Sequence, residues 1–243
     1  MNLRWVVPSS MLSVVIVFGV GCKNAPAKPE PAATRPDQVL DFASLYKQNC
    51  VACHGEQGKH GVAISLANPV YLAVAGTDIL QKVTSNGVPD TLMPAFAKSQ
   101  GGMLTDQQIA VMAQGMESAW GNPNALQGQV APAYASSSTG DPTSGQQAFV
   151  TFCAGCHGSD GVGLKRKENS TGSLVDPAYL ALISDQGLRS LIIAGQPDDG
   201  MPDWRSDIVG SSSRPMTDKE ITDIVAWLAS HRVAAPGQPY VHP

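Results

Sequence analysis

At 243 residues, 43% of them hydrophobic, the chain is long enough for two small domains, each near the lower limit for an independent core. With 16 Lys and Arg against 20 Asp and Glu the net charge is -4, which argues against nucleic acid, for which a basic stripe is expected. The 5 cysteines leave one over after any pairing.

Residues 1–21 read as an export signal: Arg4 is the only charge, the run from Trp5 to Val20 is apolar apart from Pro8, Ser9, Ser10 and Ser13, and small residues precede Cys22. Gly19-Val20-Gly21-Cys22 resembles the lipobox of bacterial lipoproteins, with Gly19 where Leu is usual. That resemblance implies acylation of Cys22 and a lipid anchor, which also accounts for the odd thiol; a plain or uncleaved signal is the alternative. In every case the chain is expected outside the cytoplasm, on the periplasmic side of a bacterial membrane. Residues 22–37 are Pro- and Ala-rich and read as a semi-extended tether.

A first domain is expected over residues 38–127. It opens with a short helix that Asp41 caps and in which Phe42, Leu45 and Tyr46 share a face. Cys50-Val51-Ala52-Cys53-His54 follows, then a glycine-rich loop, Ser65-Leu66-Ala67-Asn68-Pro69, and a helix over Thr77 to Ser85. Gly87-Val88-Pro89 leads into Leu92-Met93-Pro94, and a last helix starts at a Thr105 or Asp106 cap with Ile109, Met112 and Met116 inward. Residues 128–144 read as a linker rich in Pro, Gly, Ser and Ala. A second domain, 145–233, repeats these elements: Cys153-Ala154-Gly155-Cys156-His157, Ser173-Leu174-Val175-Asp176-Pro177, Gly195-Gln196-Pro197 into Gly200-Met201-Pro202, and Thr217-Asp218-Lys219-Glu220. Its loop after the Cys motif is five residues longer (173 − 157 = 16 against 65 − 54 = 11) and holds Lys165, Arg166 and Lys167. Residues 234–243 form an irregular tail.

Two cysteines two residues apart with a histidine directly after them read as the attachment site of a c-type haem. The thiols form thioethers to the porphyrin edge, which leaves His54 and His157 as proximal iron ligands. One copy could equally be half of a zinc site or a redox dithiol. Two copies favour haem, because a four-thiolate zinc site of Cys50, Cys53, Cys153 and Cys156 leaves both histidines unused. Met paired with His raises the potential in cytochromes c, and the sequence offers Met93 and Met201 at matching distances (93 − 54 = 39, 201 − 157 = 44). Met112 and Met116 read as core, and His60 is the alternative ligand.

These residues resemble class I cytochrome c domains in tandem, a diheme cytochrome c, over nearly all of Asp41 to Arg232. The resemblance implies an all-α fold, a few helices around one covalent haem in each domain. It also implies a first and last helix that meet where a glycine admits an aromatic, roles that Gly145 and Trp227 fit. In the first copy Phe42 stands in the place of Gly145 and Gly115 in that of Trp227, so large and small are expected to have exchanged sides, with Trp120 as the aromatic partner if they have not. Trp204 and Arg205 are expected beside the propionates of the second haem. An iron with two protein ligands is closed to substrate, so the implied function is electron transfer between respiratory or photosynthetic partners rather than enzymatic turnover. The alternative is a diheme enzyme of peroxidase or thiosulfate dehydrogenase type with one open haem. Asp198, Asp199, Asp203 and Asp207 surround Met201, where they either steer a basic redox partner or form an ordinary solvated loop.

Overall fold

The chain folds from short helices whose ends are written into the sequence as caps. A computed structural model describes residues 34–89, 91–166, 170–205 and 214–233. The signal segment, Cys22, most of the tether, Lys167, Asp207 and the tail lie outside the described residues.

In the first repeat α1 (Phe42–Asn49) starts where the Asp41 carboxylate accepts the Ser44 N–H at 2.8 Å. It passes into the single turn α2 (Val51–His54). The long α3 (Pro69–Asn86) is capped by Asn68, and α4 (Asp106–Trp120) starts on a reciprocal Thr105–Gln108 box. The second repeat follows the same plan with α5 (Pro142–Phe152), α6 (Ala154–His157), α7 (Pro177–Leu182), α8 (Asp185–Ala194) and α9 (Asp218–Ala229), the last started by a Thr217–Glu220 box. Among the described residues there is no strand, and the fold is all-α.

Three expectations shift. The helix expected over Thr77 to Ser85 is the C-terminal part of α3, which begins eight residues earlier and bends at Gly76, where φ is +65°. Periodicity breaks at that glycine, so the first turns did not read as helix. Helix α5 likewise starts at Pro142, ahead of Gly145. The end of the tether is also tied down: the Gln108 side-chain amide donates to the carbonyls of Pro36 at 2.8 Å and Val39 at 3.0 Å.

Helix α1 packs on α4, and α5 on α9. At the second crossing a Cβ on Gly145 would stand 1.9 Å from the Asp223 carbonyl oxygen and 2.9 Å from Trp227 Cβ, so only glycine fits. At the first, a Cβ on Gly115 would stand 2.2 Å from Phe42 Cδ2, which is the expected exchange of large and small. The indole of Trp120 then supplies the ring that Trp227 supplies in the other repeat. Trp120 rests on Tyr46 (centroids 5.0 Å apart) as Trp227 rests on Phe149 (4.4 Å). Each indole also closes on the glycine four residues after its motif histidine, Gly58 or Gly161.

Both repeats belong to one compact unit, in which α3 of the first touches α8 of the second. The segment joining them is fastened rather than free. Buried Arg189 donates to the carbonyls of Ala133 and Tyr134, and to Thr222 Oγ1 at 3.0 Å, and pairs with Asp218. Gln186 donates to the Tyr134 carbonyl at 2.8 Å.

Candidate functional site

Each Cys motif is wound into one helical turn at the end of the repeat's first helix. The Cys50 N–H donates to the Tyr46 carbonyl at 2.9 Å, and His54 N–H donates back to the Cys50 carbonyl at 2.9 Å. In the second copy Cys153 N–H donates to Phe149 at 2.8 Å and His157 N–H to Cys153 at 3.0 Å. This winding sets the two cysteines and the histidine of each motif at i, i+3 and i+4 of one turn and its N-cap. All four cysteines are free thiols. Burial pushes the Cys50 and Cys153 thiols up to about 12, away from the thiolate that redox exchange requires. Among the described residues no three Cys, His, Asp or Glu side chains gather into a metal site, so the four-thiolate arrangement is not assembled.

Burial holds both motif imidazoles below the usual histidine range, in the neutral form that ligates iron. His54 Nδ1 lies 2.8 Å from the Ile64 carbonyl, an acceptor, so Nδ1 carries the proton and Nε2 keeps its lone pair. His157 Nδ1 is buried and has no hydrogen-bond partner among the described residues. The longer loop of that repeat instead returns to the motif through Thr171, whose hydroxyl donates to the Cys156 carbonyl at 2.5 Å, and through Arg166, which donates to the Gly155 carbonyl. Free paired thiols beside a neutral imidazole are the donor set that a covalently attached haem takes.

The methionine loops also match between copies. Helix α3 ends at Gly87 and α8 at Gly195, with φ of +68° and +66°. A Cβ at Gly87 would lie 2.6 Å from the Met93 carbonyl oxygen, and one at Gly195 2.5 Å from the Pro202 carbonyl carbon. The next residue's N–H donates to the methionine carbonyl: Val88 to Met93 at 3.0 Å, Gln196 to Met201 at 2.8 Å. Three residues on, Phe96 N–H donates to Thr84 and Trp204 N–H to Ile193, which pins each loop to the helix it left. Met93 and Met201 are half-buried. Among the described residues no hydrogen bond ties His54 to the Met93 loop or His157 to the Met201 loop.

Trp204 is 2% exposed, and the Arg205 guanidinium stacks on its ring with 4.8 Å to the centroid. Arg205 is also paired with Asp203, Nε lying 3.0 and 3.1 Å from the two carboxylate oxygens. That pairing removes Asp203 from the acidic cluster expected around Met201. Asp198 and Asp199 remain exposed on the short 3-10 turn Pro197–Asp199. His60, the alternative ligand, is exposed. The sequence did not reveal Ile64 as the acceptor for His54, because that role belongs to a carbonyl that any residue carries. It did not reveal Arg189 either, since a lone arginine in a helix has no pattern.

The family described as cytochrome c oxidase, cbb3-type, subunit III matches the chain twice, over residues 37–114 and 140–228. The chain belongs to that cytochrome c family. Membership in that cytochrome c family implies covalently bound haem. This cbb3-type cytochrome is 26% identical over 196 residues to the cbb3-type cytochrome c oxidase subunit FixPc of Rhizobium leguminosarum bv. viciae. The aligned part is 76% of this chain and 61% of that protein, so the cytochrome spans about three-fifths of the relative's length. A chain of the Kuenenia stuttgartiensis reducing HAO-like protein complex superposes with a TM-score of 0.41 at 16% identity, over 79% of this chain and 96% of that one.

Proposed function

We propose that this cbb3-type subunit III cytochrome is a diheme electron-transfer protein of a membrane complex and not itself an enzyme. Residues 38–127 and 145–233 would each carry one haem. Cys50 and Cys53, and Cys153 and Cys156, would hold the porphyrins, with His54 and Met93, and His157 and Met201, as axial ligands. Each haem, when bound, supplies a one-electron ferric/ferrous couple. The observation that carries the reading is the duplicated pair of devices, a Cys-x-x-Cys-His turn and a methionine loop folded onto a glycine at a helix end.

The protein's part is to hold the ligands still. Ile64 fixes the His54 tautomer through its carbonyl. The Val88 and Gln196 N–H groups fix the carbonyls of Met93 and Met201, and the N–H groups of half-buried Phe96 and buried Trp204 fasten both loops. A site clamped from both sides changes little between oxidation states, which favours fast transfer and leaves no position for a reactant. Trp204 and Arg205 are the proposed propionate neighbours in the second repeat. Asp198 and Asp199 form the acidic rim for a basic partner, with Asp207 as a further candidate.

The relative's description as an oxidase subunit supports a place in a membrane complex, and the export signal expected over residues 1–21 supports the periplasmic side. No helix of the described residues is long and apolar enough to cross a membrane. A signal over residues 1–21 with acylated Cys22 and a tether over 22–37 would supply the attachment. Intact mass of the purified chain tests the reading: the expected product carries two haems, and C50A/C53A or C153A/C156A each removes one. Ferrous protein that binds carbon monoxide at either iron contradicts it, since that requires an open position.

A further inference from the structure

Asn68 is 4% exposed and uses both ends of its amide. Its Oδ1 accepts the N–H groups of Val70 at 2.9 Å and Tyr71 at 3.2 Å, capping α3. Its Nδ2 donates across to the other repeat, to the carbonyls of Ala194 at 3.0 Å and Gly195 at 3.1 Å. Two backbone donors on one side and two acceptors on the other leave the amide one orientation. The matching residue of the second repeat, Asp176, caps α7 through Oδ1 alone, at 2.9 Å to Ala178 N–H and 3.0 Å to Tyr179 N–H. Capping therefore does not require an amide at this position. The donor half of Asn68 is used only between repeats.

The carbonyls it holds are those of the last residue of α8 and of its C-cap, which have no partner within the helix. They lie at the pivot of the Met201 loop. Gln196 and Met201 exchange both backbone bonds, at 2.8 and 3.0 Å, so the loop is closed on itself and moves with Gly195. The first repeat stiffens its loop differently: the Thr91 hydroxyl donates to the Val88 carbonyl at 2.8 Å and accepts the Met93 N–H at 3.2 Å. The place of Thr91 is taken in the second repeat by exposed Asp199, and among the described residues that loop has only backbone bonds and no such side-chain brace. A cleft of about 420 Å³ runs alongside, with Lys59, Asn68, Gln196 and Asp198 among its lining. Solvent therefore reaches the flank of the loop.

We propose that Asn68 is the positioning residue through which the first repeat holds the sixth-ligand loop of the second. The proposal rests on the haem reading above and assigns to one amide a coupling between the two haem sites.

The test uses the full haem-loaded chain. In a Met93→His background only the second iron has a thioether-to-iron charge-transfer band, and imidazole is titrated against that band. Asn68→Asp keeps the capping oxygen but opposes a carboxylate to two carbonyls. Asn68→Ser keeps a cap, loses the amide and carries the test where the aspartate variant does not accumulate. Both variants are expected to bind imidazole at the second iron about tenfold more tightly, the scale of one lost buried amide-to-carbonyl bond. Amide hydrogen exchange at Gln196 and Met201 is expected to quicken while α4 keeps its protection. Imidazole affinity and exchange matching the parent overturn the proposal. Met201→Ala separates the two claims. If the band disappears in Met201→Ala while the Asn68 variants match the parent, only the positioning role falls. If the band survives Met201→Ala, the ligand assignment falls and takes the proposal with it.

Discussion

A single methyl group decides the packing at the α1–α4 crossing. Phe42 Cδ2 and Cγ would lie 2.2 and 2.3 Å from a Cβ on Gly115, and Phe42 Cβ 2.8 Å away, too near its own backbone to swing clear. Gly115→Ala is therefore expected to destabilise the protein by about 1–3 kcal/mol in urea unfolding. Adding Phe42→Leu should recover part of that loss, because the two residues share one contact and their effects cannot add. An alanine variant as stable as the parent would contradict the exchange. The sequence allowed this pair to be expected, since both positions could be counted from fixed landmarks. The partner role of Trp120 could not be counted, because its ring arrives from five residues beyond Gly115 and replaces Trp227 only in space.

At the scale of elements the last helix depends on its first turn. Thr217 and Glu220 satisfy each other's backbone N–H groups, and Arg214 grips the same carboxylate at 2.8 and 2.5 Å. The Arg214 side chain, with help from the Thr217 N–H, lowers Glu220 from the ordinary 4.5 to about 2. A carboxyl group depressed on folding adds stability above its unfolded value and loses it as pH falls toward the folded one. The contribution of Glu220 is thus complete above about pH 4.5 and fades between there and about pH 2. Thermal midpoints of the parent and Glu220→Gln should differ at neutral pH and converge across that window; a constant gap would contradict the assignment. The caps were legible because Thr-x-x-Gln and Thr-x-x-Glu have fixed spacing. The joining segment was not: its Pro-, Gly- and Ser-rich composition reads as slack, yet Arg189, 3% exposed, holds its carbonyls. Arg189→Met, which strands those acceptors, is expected to cost about 1–3 kcal/mol and to speed proteolytic cleavage within residues 121–141. Cleavage at the parent rate would show that the segment is fastened elsewhere.

For the whole molecule, the repeat was visible because its marks are chemical: two motifs, two Met-Pro loops and two Thr-Asp helix starts at matching separations. What joins the copies was hidden. The contact of α3 with α8 and the amide of Asn68 exist only once the helices are placed, and Asn68-Pro69 by itself announces no more than a helix start. The proposed relay would need its two sites held at a constant separation, an end that the fastened segment and the Asn68 bridge would both serve. The account predicts a rigid pair of closed irons in one body rather than two beads on a thread.

The most direct measurement is near-infrared magnetic circular dichroism of the ferric holoprotein, comparing the parent with Met93→Ala and Met201→Ala. The account predicts a thioether-to-iron band in the parent and loss of about half its intensity in each variant. A parent spectrum without the band, or a variant that leaves it unchanged, would contradict the claim that each repeat clasps its iron with one histidine and one methionine.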